Sequence, residues 1–326
     1  MARLVETAQP LLVVILGPTG SGKTALSVAL GQRFDGEVVS CDSVAVYKGL
    51  EIGSAKPSTT QRALIPHHML DVVAPDTAYT AGDYARDARS AIAAIAGQHR
   101  LPIVTGGTGL YLRALLLGLF PGPQRSVAMR DRLLKKAETR GPAVLHRILK
   151  RLDPASAERI HANDVPKVVR AIEVTLAASR PMSEAWKDGR QALTGYRVLR
   201  IGLDPVRSQL YERINARARA MFAEGLIEET RELRAHYGRS PALESLGYRQ
   251  AGQYLDGAIT REQAILAASQ GHRNYAKRQL TWFRREPEVS WLHGFGDDPG
   301  LQAEAERLIL RVKTQHDVHS PDTMGH

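Results

Sequence analysis

The segment Gly17-Pro18-Thr19-Gly20-Ser21-Gly22-Lys23-Thr24 has the residue types and spacing of a phosphate-binding loop. Its three glycines let the backbone turn tightly enough for consecutive N–H groups to face one anion. Lys23 adds a positive charge, and the Thr24 hydroxyl is a ligand of the kind that holds Mg2+. A phosphate or diphosphate is therefore the ligand these residues fit. Such a loop alone usually means a nucleoside triphosphate, ATP above all, so the reaction must be read from other residues. Asp42, in Ser40-Cys41-Asp42-Ser43, has three possible uses: holding Mg2+ through water, acting as a general base, or accepting a hydrogen bond from a substrate amine. Thr108 lies in Gly106-Gly107-Thr108-Gly109, whose glycines would let the backbone approach a ligand closely.

These segments gain meaning from the elements that carry them. Leu11–Leu16 is a continuous apolar run ending at Gly17, as expected of a strand buried on both faces of a parallel sheet. Similar runs at Glu37–Ser40, Met69–Val73, Leu101–Thr105 and Val198–Leu203 alternate with helical patterns such as Thr24–Phe34 and Ala81–Gln98. That order predicts an α/β fold with a mostly parallel sheet, and Asp42 and Thr108 then follow the carboxyl ends of strands, where ligands bind in such sheets. The pattern breaks at the Pro-Gly-Pro segment within Phe120–Pro123, and from Val127 to about Lys187 the sequence is charged and helical. The predicted division is a core over 1–120, a helical insertion over 121–195, completion of the core with basic helices over 196–312, and a disordered tail over 313–326. After Asp204 only helices are expected. In the first of them, Leu210, Ile214, Ala218, Met221 and Phe222 share an apolar face flanked by Arg213 and Arg217.

Composition narrows the class. An apolar fraction of 43% is that of a folded protein, and the sequence has no run of about 18 apolar residues and no apolar leader. A cytoplasmic protein with no membrane partner is expected. The single cysteine, Cys41, excludes an intrachain disulfide and reads as a small buried side chain rather than a nucleophile. A net charge of +10 is enough to attract a polyanion. Arg273, Lys277 and Arg284 form a basic stripe over Arg261–Glu286 with Arg278 and Arg285 beside it, while Tyr275, Trp282 and Phe283 read as core. Nothing in the sequence requires more than a monomer.

The order of motifs resembles bacterial tRNA dimethylallyltransferases over roughly residues 11–292. The resemblance rests on Gly17–Thr24, Ser40-Cys41-Asp42-Ser43, Tyr47-Lys48-Gly49 through Gly53-Ser54-Ala55-Lys56-Pro57, Pro66-His67-His68 and Gly106–Tyr111. It continues with Asn163-Asp164, Gly247-Tyr248-Arg249 and Ala276-Lys277-Arg278-Gln279-Leu280-Thr281-Trp282. Cys41 stands where the family often has a smaller residue, and Pro166-Lys167 replaces a more usual Gln-Arg pair.

The resemblance implies a P-loop NTPase-like core with a helical insertion domain. It also implies transfer of a dimethylallyl group from dimethylallyl diphosphate to N6 of the adenosine 3′-adjacent to the anticodon. The partners would be that diphosphate and the tRNA anticodon stem-loop, with Mg2+ as cofactor bound at Thr24. Asp42, Thr108 and Arg217 are the implied catalytic residues, with the diphosphate on Gly17, Pro18, Thr19, Gly20, Ser21, Gly22, Lys23 and Thr24. Implied tRNA contacts are Asp42, Ser43, Val44, Ala45, Thr108, Arg130, Pro166, Lys167, Val168, Val169 and Arg170. Further contacts are implied at Glu244, Ser245, Leu246, Gly247, Tyr248, Arg249, Lys277, Arg278 and Arg284. The competing readings are an isopentenyltransferase acting on free adenine nucleotides, a P-loop small-molecule kinase and a non-catalytic RNA-binding protein.

Overall fold

Every residue of Leu11–Leu16 is buried, and this strand, β1, lies between β4 (Leu101–Gly106) and β5 (Arg197–Leu203). Burial on both faces is what a continuous run of Leu, Val and Ile requires of a parallel strand. The computed structural model describes residues 9–120, 122–123, 126–185 and 191–317. Among them, β2 (Gly36–Cys41), β3 (His67–His68) and β6 (Val289–Leu292) complete one parallel sheet in the order β3-β2-β4-β1-β5-β6. The α/β class with a P-loop NTPase-like core is therefore the observed one.

The helices follow in chain order. Before the insertion come α1 (Lys23–Phe34), α2 (Thr59–Leu64), α3 (Ala81–Gly97) and α4 (Gly109–Leu117). The insertion carries α5 (Val127–Arg140), α6 (Ala143–Leu152), α7 (Pro154–Arg159), α8 (Val165–Ala178) and α9 (Met182–Ala185). After it come α10 (Arg207–Ala223), α11 (Leu226–Tyr237), α12 (Tyr248–Leu255), α13 (Arg261–Phe283) and α14 (Pro299–Asp317). Their starts are written locally. Ser58 with Gln61, Thr80 with Asp83 and Thr260 with Gln263 each exchange side-chain and backbone bonds as a capping box.

Two compact units result, one of Met1–Leu115 with Leu193–His326 and one of Leu116–Ala192. In the first, Val13, Ile15, Leu26, Ile103, Ile201 and Ile309 fill the core at the sheet. A second cluster joins Leu50, Phe222, Leu226, Tyr248, Ala251 and Ala268. The helical unit has its own core of Leu145, Leu149, Val168, Val169 and Ile172.

Three expectations need correction. The strand expected at Met69–Val73 falls at His67–His68 instead, because Met69 (φ 63°) and Asp71 (φ 55°) occupy the left-handed region, which ends a strand. Only Val73 rejoins the sheet direction, through a single bridge to Tyr47. The all-helical reading after Asp204 misses β6, a four-residue edge strand paired to β5 and only half-buried over three of its positions. Finally, α14 continues through Asp317, so the tail expected to be disordered from residue 313 is helical over its first five residues; its remainder, 318–326, lies outside the described residues.

The implied tRNA segment Pro166–Arg170 lies at the start of α8. Asp164 caps α8 by accepting from the Lys167 N–H at 3.4 Å, and Pro166 sits in the first turn, where its missing N–H costs nothing. Val168 and Val169 then point into the helical core and are fully buried, so their side chains serve the packing of this unit. Val169→Ala should lower the stability of the protein by about 2 kcal/mol, from two lost methyl groups and the cavity they leave. Denaturant unfolding measures this, and tRNA affinity of the folded variant should be unchanged.

Candidate active site

The phosphate-binding loop leaves β1 and enters α1 through three positive-φ positions, Gly17, Gly20 and Gly22, that only glycine adopts freely. Gly20 (φ 82°) and Gly22 (φ 85°) are the clearest, Gly22 being the residue that caps α1. Lys23 turns its ammonium back over the loop and donates to the carbonyls of Gly17 (3.0 Å) and Pro18 (2.9 Å). Burial pushes this lysine down to about 8, opposed by the attraction of Asp42, while the nearby Arg217 lowers it further. The Ser21 hydroxyl is buried with no hydrogen-bond partner.

Asp42 follows β2 directly. Its Oδ1 accepts from the N–H groups of Val44 (2.8 Å) and Ala45 (3.3 Å), a local turn that fixes the carboxylate. Thr108 secures the same segment from β4: its Oγ1 accepts from the Ser43 N–H at 3.0 Å, and its own N–H donates to the Cys41 carbonyl at 3.1 Å. Thr108 thus braces Asp42 from behind. Cys41 is buried, and burial pushes its thiol up to about 12, which makes it inert as a nucleophile.

A cavity of about 330 Å3 opens beside these residues. Asp42, Ser43 and Val44 line it together with Thr19 of the loop and Arg217 of α10. Arg217 reaches the Thr19 hydroxyl and the Ala55 carbonyl, both at 3.5 Å, and burial depresses its pKa against the pull of Asp42. Ile214, Ala218 and Met221 of the same helix add an apolar wall. Its companion at the face edge, Arg213, is elsewhere: it pairs with Asp297 at 2.7 Å and lies over the Phe295 ring.

The structure sorts the implied tRNA residues. Glu244, Ser245, Leu246, Arg249 and Arg278 line the cavity, whereas Lys277 on α13 and Arg284 just after it are exposed, Arg284 pairing with Asp204 at 3.3 Å. Ala45, Gly247 and Tyr248 are buried and do not line the cavity. The Tyr248 hydroxyl accepts from the Gly53 N–H at 3.1 Å and donates to Glu229, so Tyr248 supports the Gly53–Ser54 wall and faces no solvent. In the helical unit, Arg130 and Arg170 approach the buried Glu173 at 3.6 Å and 3.7 Å.

Sequence reasoning missed the residue that ties the site together. Gln279 of α13 accepts from the Thr19 N–H at 2.8 Å and donates to the Gly107 carbonyl at 2.9 Å. Tyr275 donates to the same carbonyl at 3.2 Å. The glycines after β4 are therefore needed for a protein contact: a Cβ on Gly107 would lie 2.0 Å from the Gln279 amide nitrogen, and one on Gly109 2.4 Å from the Trp282 indole nitrogen. The motif containing Gln279 was visible, but no local pattern shows a bond between residues 260 positions apart.

The IPP transferase family model matches residues 45–286, and the isopentenyl transferase model matches residues 10–65. The tRNA dimethylallyltransferase of Koribacter versatilis (strain Ellin345) is 61% identical over 93% of this chain and 99% of its own. That of Solibacter usitatus (strain Ellin6076) is 51% identical over 93% and 99%. Among solved structures, the full-length tRNA isopentenylpyrophosphate transferase of Bacillus halodurans superposes with a TM-score of 0.70 at 36% identity, covering 95% of this chain and 99% of that one. A eukaryotic dimethylallyltransferase acting on tRNA gives a TM-score of 0.77 at 25% identity, over 97% of this chain and 81% of that one.

Gly107→Ala should break the Gln279 clamp and cost about 2 kcal/mol, the usual scale for overpacking. Thermal unfolding measures it, with Gly97→Ala as control because a Cβ there meets nothing within 4 Å. An equal transition temperature in both variants would show that the clamp carries no strain.

Proposed function

The chain belongs to the IPP transferase family, and from that premise we propose how it transfers a dimethylallyl group from dimethylallyl diphosphate to N6 of the adenosine beside the anticodon of tRNA. The observation that carries this reading is the convergence of Asp42, Arg217 and Thr19 of the phosphate loop on one cavity. A base, a buried cation and a diphosphate cradle then face one reacting carbon. The similarity of whole relatives named as tRNA dimethylallyltransferases favours tRNA over a free adenine nucleotide as acceptor, and prenyl transfer over phosphoryl transfer.

In the proposed reaction the adenine amine attacks the allylic carbon while the bond from that carbon to the diphosphate oxygen breaks. The bonding electrons leave with the diphosphate, and the amine proton passes to Asp42. The Val44 and Ala45 N–H groups engage Oδ1, which leaves Oδ2 for the amine. Lys23, Arg217 and the loop N–H groups stabilise the charge on the departing diphosphate in a site where burial strengthens each interaction. The single lone pair of N6, which forms the new bond, is delocalised into the adenine π-system, so orientation by the cavity wall contributes alongside the base. An anticodon adenosine must leave its stack to reach Asp42.

Mg2+ fits this site as a partner of the donor. No group of three or more His, Cys, Asp or Glu gathers among the described residues to hold a metal alone, and Mg2+ commonly takes few protein ligands beside substrate phosphates and water. The half-buried Thr24 hydroxyl, at the start of α1, is the residue that would hold it. When bound, it would neutralise charge on the diphosphate oxygens.

Mass analysis of nucleosides after incubation with dimethylallyl diphosphate and either unmodified tRNA or AMP tests the assignment. A dimethylallyl gain on tRNA adenosine alone is expected, and gain on AMP alone would overturn the acceptor. Asp42→Ala should lower turnover by at least about a hundredfold, the scale of general-base catalysis, while sparing tRNA binding measured by filter retention. Near-normal turnover would remove Asp42 as base.

Lys23 gives a pH prediction. The diphosphate binds best to protonated Lys23, so donor affinity should be level below pH 8 and fall as pH rises through about 8, where the free protein loses that proton. Lys23→Arg, which keeps its charge, should flatten that limb in a plot of donor KM against pH. The same limb in both proteins would assign the titration to another group.

A further inference from the structure

His272 is a cavity-lining residue that the mechanism above does not use. It stands on α13 three residues before Tyr275 and seven before Gln279, so the three form one stripe on that helix. Tyr275 and Gln279 spend their polar groups on the Gly107 carbonyl and the Thr19 N–H. The third member spends nothing: the His272 Nε2 is buried and has no hydrogen-bond partner. A buried polar atom without a partner is costly, and in a cavity wall it marks a place where a water, an ion or a ligand supplies the missing bond.

Its surroundings indicate the chemistry of that ligand. The charged and titratable groups that share the cavity wall with it are Arg217 of α10, Tyr275 and Arg278 of its own helix, Arg249 of α12, and Asp42 and Glu244. Burial, and then the charge of Arg217, push the imidazole down to about 4. At neutral pH the ring is therefore uncharged and keeps one N–H to donate. A neutral N–H donor beside a buried guanidinium, with Arg217 itself 3.5 Å from the Thr19 hydroxyl of the phosphate loop, is suited to an anion that Arg217 also holds. An apolar group there would leave the imidazole N–H unpaired.

We propose that His272 is a donor-binding residue that gives a hydrogen bond from its neutral imidazole to the diphosphate of the prenyl donor, alongside Arg217. This rests on the donor assignment made above and adds a residue that the resemblance does not supply. Rotation about the bond from Cβ to the ring brings either ring edge to the cavity, so the backbone of α13 need not move. In the free protein the imidazole is held in place by packing alone, and the diphosphate completes its bonding.

Inorganic diphosphate is the probe. It should inhibit the wild-type enzyme competitively against the prenyl donor. In His272→Leu its inhibition constant should rise about tenfold, with the KM for tRNA unchanged, and His272→Gln, whose amide reaches the place of Nε2, should recover most of that loss. Should the Leu variant not fold, ring 15N signals of histidine-labelled wild-type protein, with His272 assigned by its absence in the Gln variant, should shift on adding diphosphate. An unchanged inhibition constant in His272→Leu, equal losses for diphosphate and tRNA, or a ring signal indifferent to diphosphate would each overturn the proposal. If the wild-type protein itself is not inhibited by diphosphate, the donor assignment fails, and the role of His272 falls with it.

Discussion

One side-chain amide holds the candidate active site in register. Gln279 is buried between the phosphate loop and the glycine segment after β4, and it satisfies a donor on one and an acceptor on the other. Both of those backbone groups belong to irregular turns that cannot pair within a strand or helix, and an unpaired buried backbone group costs as much as a lost hydrogen bond. The glutamine is therefore more than a contact. It sets how far α13 stands from the two loops, and that spacing fixes where Tyr275, Arg278 and His272 meet the cavity. The absence of a Cβ at Gly107 follows from the same distance.

Around that clamp the charges are arranged at a cost that Asp42 offsets in part. Lys23 and Arg217 are both depressed by burial, and each is held up by Asp42. Two desolvated cations sharing one carboxylate leave the pocket deficient in negative charge, and Lys23 meanwhile leans on the Gly17 and Pro18 carbonyls. Such a site is preorganised for an anion, because the donors are already dry and aimed before it arrives. Cys41 is the contrasting case. It sits beside Asp42 in sequence, yet burial keeps its thiol protonated, and its place is in the packing between β2 and the Thr108 segment.

Much of this was legible in the residues. The four longest strands, the phosphate loop and the position of Asp42 at a strand end all follow from local pattern, since continuous apolar runs and glycine spacing are local facts. What failed was not local. The left-handed residues Met69 and Asp71 interrupt an apolar run that otherwise reads as a strand, and β6 is too short and too exposed to leave a pattern. In the site, Thr108 was recognised for its position, but its hold on the Ser43 N–H was not visible in the sequence. Gln279 was seen within a motif, and its two partners lie 260 and 172 residues away.

The same distinction explains why residues carried over by resemblance divide into those that face the cavity and those that stand behind it. A motif marks positions at which substitution is costly, and a buried brace is as costly to lose as a ligand contact. Tyr248 shows how: fully buried, it ties Gly53 to Glu229, and Glu229 in turn accepts from the Ile52 N–H at 3.0 Å. Through those bonds it fixes Gly53 and Ser54, which do line the cavity. The neighbouring Arg249, one residue along α12, projects into the cavity itself. Adjacent members of one motif thus serve the site from opposite sides of its wall, because successive residues of a helix point about 100° apart and only one of them can face the cavity.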